Sequence, residues 1–218
     1  KDDQPGGMQS HFGAVCNIMI GTMFSSAQPL LLQFPFERPI FLREYASNMY
    51  GSVPYFVAKM AIELPLSLLT SIETWLIAYF IMGLKGNFVM LVLSSWGLGL
   101  AGASTALLIG CNIGNAKAVQ EVAPLMFVPQ ILFSGIFITI KLIPSWLQWL
   151  QYVCALKYAI NLGMVAEFDN LPGGKEFLAA QNIDKDDVWF YIAVLAGIFA
   201  GFRLLAMIGL RKKATFVY

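Results

Sequence analysis

The chain has 218 residues, of which 58% are hydrophobic and 12% charged, with a formal net charge of +1 and a mean hydropathy of +0.67. One soluble core does not need so much apolar surface, whereas segments of about 20 apolar residues match a bilayer, so the composition excludes a soluble globular domain and reads as an integral membrane protein. So small a net charge gives no basic field for nucleic acid, and the one compact positive run is Arg211, Lys212 and Lys213.

The first residue is Lys and no signal with a basic start and cleavage site is visible, which reads as a piece of a longer protein. The first predicted span, 11–34, carries no charge from 12 to 32. His11, the one histidine, takes an interfacial structural role, with no histidine and carboxylate constellation around it. Next comes QFPFERPIFLREYASNMY, 33–50, where Glu37, Arg38, Arg43 and Glu44 gather between two oily segments. The second span, 56–84, contains AKMAIELPLSLLTSIETWLIAYF and places Glu63 and Glu73 where lipid is expected. At helical spacing Lys59, Glu63, Ser67, Thr70, Ser71 and Thr74 form a polar stripe, and Lys59 lies four residues before Glu63, within reach of pairing. The stripe must face protein or water, either as a relay that changes partners or as a static interhelical network with Glu63 snorkelling.

The third span, 88–113, is rich in small residues four apart, including Gly97, Gly99, Gly102, Ala106, Gly110 and Gly114, a spacing that lets helix backbones approach closely. The fourth, 122–140, carries Pro124, Pro129 and Gly135; Pro129 removes a backbone donor and favours a bend, and Gly135 loosens the helix near its outer end. The stretch 146–168 opens on Trp146, Trp149 and Tyr152 and contains Lys157, which suits a helix lying at or dipping into the interface. A polar, mobile loop follows over 169–187, and the fifth span is 188–210. Cys16, Cys111 and Cys154 have no metal-ligand spacing and read as small apolar residues.

Lys and Arg set the orientation. With 37–44 cytoplasmic, the inner side holds Arg38, Arg43, Lys59, Lys117, Arg203, Arg211, Lys212 and Lys213, against Lys1, Lys85, Lys141, Lys157, Lys175 and Lys185 outside. Every arginine is then inside. Five crossings leave the N-terminus outside with nothing to take it there, and one upstream helix repairs the parity. The chain has no catalytic constellation, no metal-ligand set and no phosphate-binding loop, so it cannot bind and split ATP by itself.

The stretches ERPIFLREYASNMYGSVPYFVAKMAIELP and LFSGIFITIKLIPSWLQWLQYVCALKYAINLGMVAEF resemble the transmembrane domain of ABC transporters of the G subfamily, the White and pleiotropic drug resistance group, over nearly the whole chain. The half-size members, which dimerise, are the most similar. The resemblance implies an all-α bundle of the ABC-2 exporter type: about five membrane helices, a cytoplasmic coupling helix over 37–50 and an external re-entrant region over 141–187. It also implies an ATPase domain, normally on the same polypeptide and absent here with the first helix; that domain would hold ATP and magnesium, so this chain itself carries no cofactor. Glu37, Arg38, Arg43 and Glu44 would then contact the ATPase, although a merely solvated loop fits the same charges. Asn17, Ile20, Gly21 and Phe24 would face Val128 and Ile131 across a cavity between two protomers, with Ile136 and Phe137 as an apolar plug above it. Gly21 and the plug residues depart from the family's usual bulkier or leucine side chains.

Three functions follow as expectations. One is the membrane part of an ATP-driven exporter of lipophilic or amphipathic small molecules, with membrane lipids around it and an identical or different second half as partner. Another is a scaffold or regulatory subunit that keeps the fold without the motor. The third is an ion-coupled carrier built on a polar relay of Lys59, Glu63, Ser67, Thr70 and Glu73.

Overall fold

The first helix, α1, runs unbroken from Pro5 to Ala46 (Pro5–Ala46, 42 residues) with Pro29, Pro35 and Pro39 inside it. At 1.5 Å per residue that is about 63 Å, roughly twice the hydrocarbon thickness of a bilayer. The charged segment is therefore the far end of the membrane helix and not a separate helix after it. A computed structural model describes residues 5–135, 149–169, 171, 173–181, 183 and 187–217 of the chain. The expected plug residues Ile136 and Phe137 lie outside the described residues.

After a turn in which Asn48 has φ 55°, α2 covers Ser52–Met82 and closes on Gly83. Gly83 has φ 63°, the left-handed conformation that glycine adopts without steric cost, and its N–H caps Tyr79 O. Helix α3, Phe88–Asn112, starts where the Asn87 side chain accepts from Met90 N, and α4, Ala116–Leu132, starts where Asn115 accepts from Lys117 N. Despite Pro124 and Pro129, α4 stays helical to Leu132. Gly135, at φ 89°, then turns the chain instead of loosening a longer helix. The expected span 122–140 is thus divided between α4 and residues outside the described set. A single turn α5 (Leu150–Val153), α6 (Ala155–Phe168), a short α7 (Gly174–Ala180) within the expected loop, and α8 (Val188–Val217) complete the order. Among the described residues no strand occurs, and α1, α2, α3 and α8 are long and apolar enough to cross a membrane.

Helix α3 is the axis of the bundle. Its membrane segment is 78% buried, against 17% for those of α2 and α8, which form the outside. Small residues cause this placement. A Cβ on Gly102 would sit 3.0 Å from Met23 O, and one on Gly110 would sit 2.8 Å from the Phe34 ring, so α1 can lie directly on α3 only because those positions are glycine. The main core gathers Val15, Met19, Met23, Ala27 and Leu31 of α1 with Leu91, Leu98 and Ala106 of α3. A second cluster of Phe34, Phe41, Phe56, Leu107 and Leu210 closes the charged end.

Helix α6 corrects the expectation for 146–168. Among the described residues of its approach Trp149, Tyr152 and Val153 are exposed, whereas α6 is buried at twelve positions from Ala155 to Phe168. It belongs to the interior, beside α3, α8 and α1. Its apolar residues go all round the helix, a pattern of full burial that a search for a one-sided interfacial stripe does not separate.

Candidate functional site

Three polar clusters and one open face stand out. At the charged end, Glu37 and Glu44 of α1 turn toward α2. Lys59 forms an ion pair with Glu37 and sits 5.0 Å above the Phe34 ring. Tyr55 Oη donates to Glu37 Oε2 at 3.2 Å and Gln33 Nε2 to its Oε1 at 2.6 Å. Tyr50 Oη donates to Glu44 Oε2. Burial first, then the hydrogen bond and charge of Glu44, push the Tyr50 phenol up to about 12, so it stays a donor at neutral pH. Glu37, Phe41, Glu44, Tyr50, Tyr55 and Lys59 line a groove of about 310 Å³ with Ile40, Ala58 and Ile62. Arg38 packs against Gly114 of the α3–α4 turn. Of the four charges singled out in the sequence, only Arg43 is exposed.

Inside the membrane segment, Glu63 of α2 forms its ion pair with Arg203 of α8. This corrects the expected Lys59–Glu63 pair: spacing allowed it, but packing gives Lys59 to Glu37 and Glu63 to Arg203. Arg203 is 5% exposed; its Nε donates to Ser104 Oγ at 3.3 Å, and its guanidinium lies 5.2 Å from the Phe199 ring centre. Arg203 therefore leaves the orientation tally, being inside the bundle and not in a loop. Trp96 Nε1 donates to Ser67 Oγ at 3.0 Å and to Leu64 O at 3.2 Å. Glu63 Oε1 and Arg203 Nη1 are buried without a hydrogen-bond partner among the described residues.

The remaining stripe residues divide. Ser71 is buried, while Thr70, Glu73 and Thr74 face outward with Leu69, Leu76 and Ile77. Glu63 and Glu73 are thus not brought together. Thr70 and Thr74 bond backbone carbonyls of their own helix, Ser67 O at 2.9 Å and Thr70 O at 2.8 Å.

The third cluster lies at the opposite end and was missed. Glu167, 0% exposed near the end of α6, accepts from Lys85 N at 3.1 Å and Gly86 N at 3.0 Å and lies 3.3 Å from His11 Nδ1. His11 does have a carboxylate partner, contrary to the sequence expectation. Glu167 clasps α6, α1 and the α2–α3 turn together, and Asn87 N donates to Ala166 O at 2.8 Å beside it. The hint in the sequence was a lone carboxylate in a fourteen-residue apolar helix. Among the described residues no group of three His, Cys, Asp or Glu side chains could hold a metal, and Cys16, Cys111 and Cys154 are buried and outside any disulfide.

The open face belongs to α1 and α4. Asn17, Gly21 and Phe24 are exposed and Ile20 half-buried on α1; Val128 is exposed and Ile131 half-buried on α4. Phe24 is 38% exposed and Val128 47%, with Phe24 5.5 Å from the buried Phe127 ring. A Cβ on Gly21 would meet nothing within 4 Å. These side chains share one face of α1 and α4 that no described element covers.

A bundle with an interior glycine-lined helix and an ion pair between two of its apolar helices is a polytopic helical membrane domain. The family model for the ABC-2 type transporter matches residues 1–168, and the chain belongs to that family. Similar proteins include ABC transporter G family member 1 of Dictyostelium discoideum, 26% identical over 95% of this chain and 29% of its own length. Protein white of Drosophila melanogaster is 29% identical over 95% of this chain and 33% of its own length. The broad substrate specificity ATP-binding cassette transporter ABCG2 of Rattus norvegicus is 31% identical over 84% and 28% respectively. The chain thus spans about a third or less of the length of these relatives.

Proposed function

We propose that the chain is the membrane-spanning part of an ATP-driven exporter of lipophilic or amphipathic small molecules. The observation that carries this reading is the open α1 and α4 face: Asn17, Ile20, Gly21, Phe24, Val128 and Ile131 offer apolar and aromatic surface with no formal charge and no covering element among the described residues. A second transporter half, identical or different, would close it into a cavity. Buried area, at about 25 cal/mol per Å², would dominate binding, with stacking on Phe24 adding to it. A strongly charged solute would lose hydration there without gaining a partner.

The other features take roles around that cavity. An ATPase domain, holding ATP and magnesium, would push on the charged end of α1, where Arg43 is free to meet it. Lys59 and Tyr55 tie Glu37 to α2 and Tyr50 ties Glu44 to the turn before it, so force on that end would reach two helices at once. The Glu63 and Arg203 pair is the better candidate for a relay, since each keeps an unused buried polar atom with which to change partner as helices move.

Uptake into inside-out vesicles by the full-length protein tests the reading. ATP-dependent uptake of a sterol, terpenoid or planar drug should fall when Phe24 is changed to Ala, with assembly intact. Selective uptake of a small hydrophilic anion, unaffected by that change, would refute both the cavity and the lipophile.

A further inference from the structure

The open face is not uniformly apolar. Asn17, Gly21, Phe24 and Gln28 are all exposed on α1, and their spacing of four, three and four residues puts them on one line. Eleven residues bring Asn17 and Gln28 back to within about 20° of each other, three turns and about 16 Å apart. The line begins and ends on an amide, with glycine and phenylalanine between.

At the Gln28 end the amide is doubled. Gln28 Nε2 donates to Gln120 Oε1 of α4 at 3.4 Å, near the long limit for a hydrogen bond and therefore cheap to open. Gln120 Nε2 is buried and has no hydrogen-bond partner among the described residues. One bond between two amides leaves a carbonyl acceptor and an NH₂ donor over, whichever way either amide is turned. Buried donors of this kind are normally paired, and an unused one costs free energy that a ligand atom could recover.

We infer that Gln28 and Gln120 form a polar head-group station at the inner end of the proposed cavity, selecting amphipathic lipophiles that carry an uncharged hydroxyl at one end. A hydroxyl both donates and accepts, so one group satisfies both leftover amide functions; a hydrocarbon end satisfies neither. A carboxylate or ammonium is a poorer fit because no ionised side chain lies on the α1 line. The nearest charged positions on α4, Lys117 and Glu121, are opposite in sign, one turn apart and exposed, where they can balance each other. Between head and tail the ligand rests on Phe24 and in the space left by Gly21, where an added Cβ would meet nothing within 4 Å. The station deepens the exporter reading and rests on it, since the α1 and α4 face must be the substrate wall.

The test uses the full-length transporter in proteoliposomes and two probes, cholestanol and cholestane, which differ by one hydroxyl. The readout is the concentration giving half-maximal stimulation of ATP hydrolysis. The native protein should respond to cholestanol at about 5 to 10-fold lower concentration than to cholestane, the ratio expected of one or two neutral hydrogen bonds. In the Gln28→Leu and Gln120→Leu double variant the two responses should converge to within about 2-fold, mainly by loss at cholestanol, with the cholestane response kept. Undiminished discrimination in the double variant overturns the station. So does an equal loss for both probes, which would make the amides a clamp between α1 and α4. A native protein that responds to neither probe overturns the lipophile reading itself, and that result is visible before any substitution is made.

Discussion

Helix α1 has two faces with opposite physics. On one, Val15, Met19, Met23, Ala27, Leu31 and Phe34 are no more than 2% exposed, with Met23 and Phe34 against Gly102 and Gly110 of α3 and Val15 and Met19 against Gly163 of α6. On the other, Asn17, Gly21, Phe24 and Gln28 are exposed. The closed face is apolar throughout, whereas the open one sets two amides around glycine and phenylalanine. Glycine separates them as well: at Gly102 and Gly110 of α3 an added Cβ runs into α1, whereas at Gly21 it enters open space. Polar pairs divide the same way. The buried Arg203 and half-buried Glu63 form an ion pair held on the closed side by three helices, α2, α3 and α8; Gln28 and Gln120 are neutral, held by one long bond, and placed on the open side. The closed side uses its contacts within the fold, whereas the open side leaves them unused among the described residues.

The largest effect should come from the closed side. Arg203→Leu leaves Glu63 in the bundle without its partner, and about 3 kcal/mol or more of stability should be lost. Thermal unfolding in nanodiscs, run as a double-mutant cycle with Glu63→Leu, checks it; additive losses would mean the pair is not coupled. Next, Gly102→Leu drives a side chain against the Met23 backbone and should cost about 1 to 3 kcal/mol or more. Yield of folded, monodisperse protein reports it, and a normal yield would break the closed-face account.

Crossing to the open side, Phe24→Ala should change stability by less than about 1.5 kcal/mol, Phe24 being only partly buried, while weakening lipophile-stimulated ATP hydrolysis several-fold. The reverse pattern, large destabilisation with normal stimulation, would make Phe24 a core residue. Arg43→Glu should separate hydrolysis from transport while leaving insertion and melting temperature unchanged, because Arg43 is exposed at the end of α1; coupled transport at the native ratio of ATP to substrate would contradict that. The smallest effect belongs to Gly21→Ala, within about 0.5 kcal/mol of native and on the stabilising side if it differs, since the helix gains propensity and nothing is displaced.

Much of this architecture was legible from local pattern. Apolar length located α2, α3 and α8, and small residues four apart announced that another helix would lie close on α3, though not that it would be α1. Partners were not legible. Lys59 and Glu63 are one turn apart, yet their partners Glu37 and Arg203 come from 22 and 140 positions away. Helical spacing proposes only pairs within one helix, while desolvation rewards whichever opposite charge tertiary packing brings closest. Glu167 and His11, 156 positions apart, were hidden for the same reason. The break expected after residue 34 failed because charges and prolines suggested a loop. Phe34 and Phe41, buried two turns apart against α2, α3 and α8, instead carry the helix through Pro35 and Pro39. Asn17, Gly21 and Phe24 do share an exposed face of α1, but the contact of Gln28 with Gln120 was not legible, since an amide in an apolar helix gains meaning only when its neighbour is seen.

The central claim is that the open face of α1 lines a cavity closed by a second half. Bifunctional thiol cross-linking of the full-length protein carrying Gly21→Cys addresses it directly, because Cys16, Cys111 and Cys154 of this chain are buried. The account predicts a covalent dimer that a lipophilic ligand suppresses, and no dimer from Ile77→Cys on the outward face of α2. A dimer from Ile77→Cys with none from Gly21→Cys would contradict it.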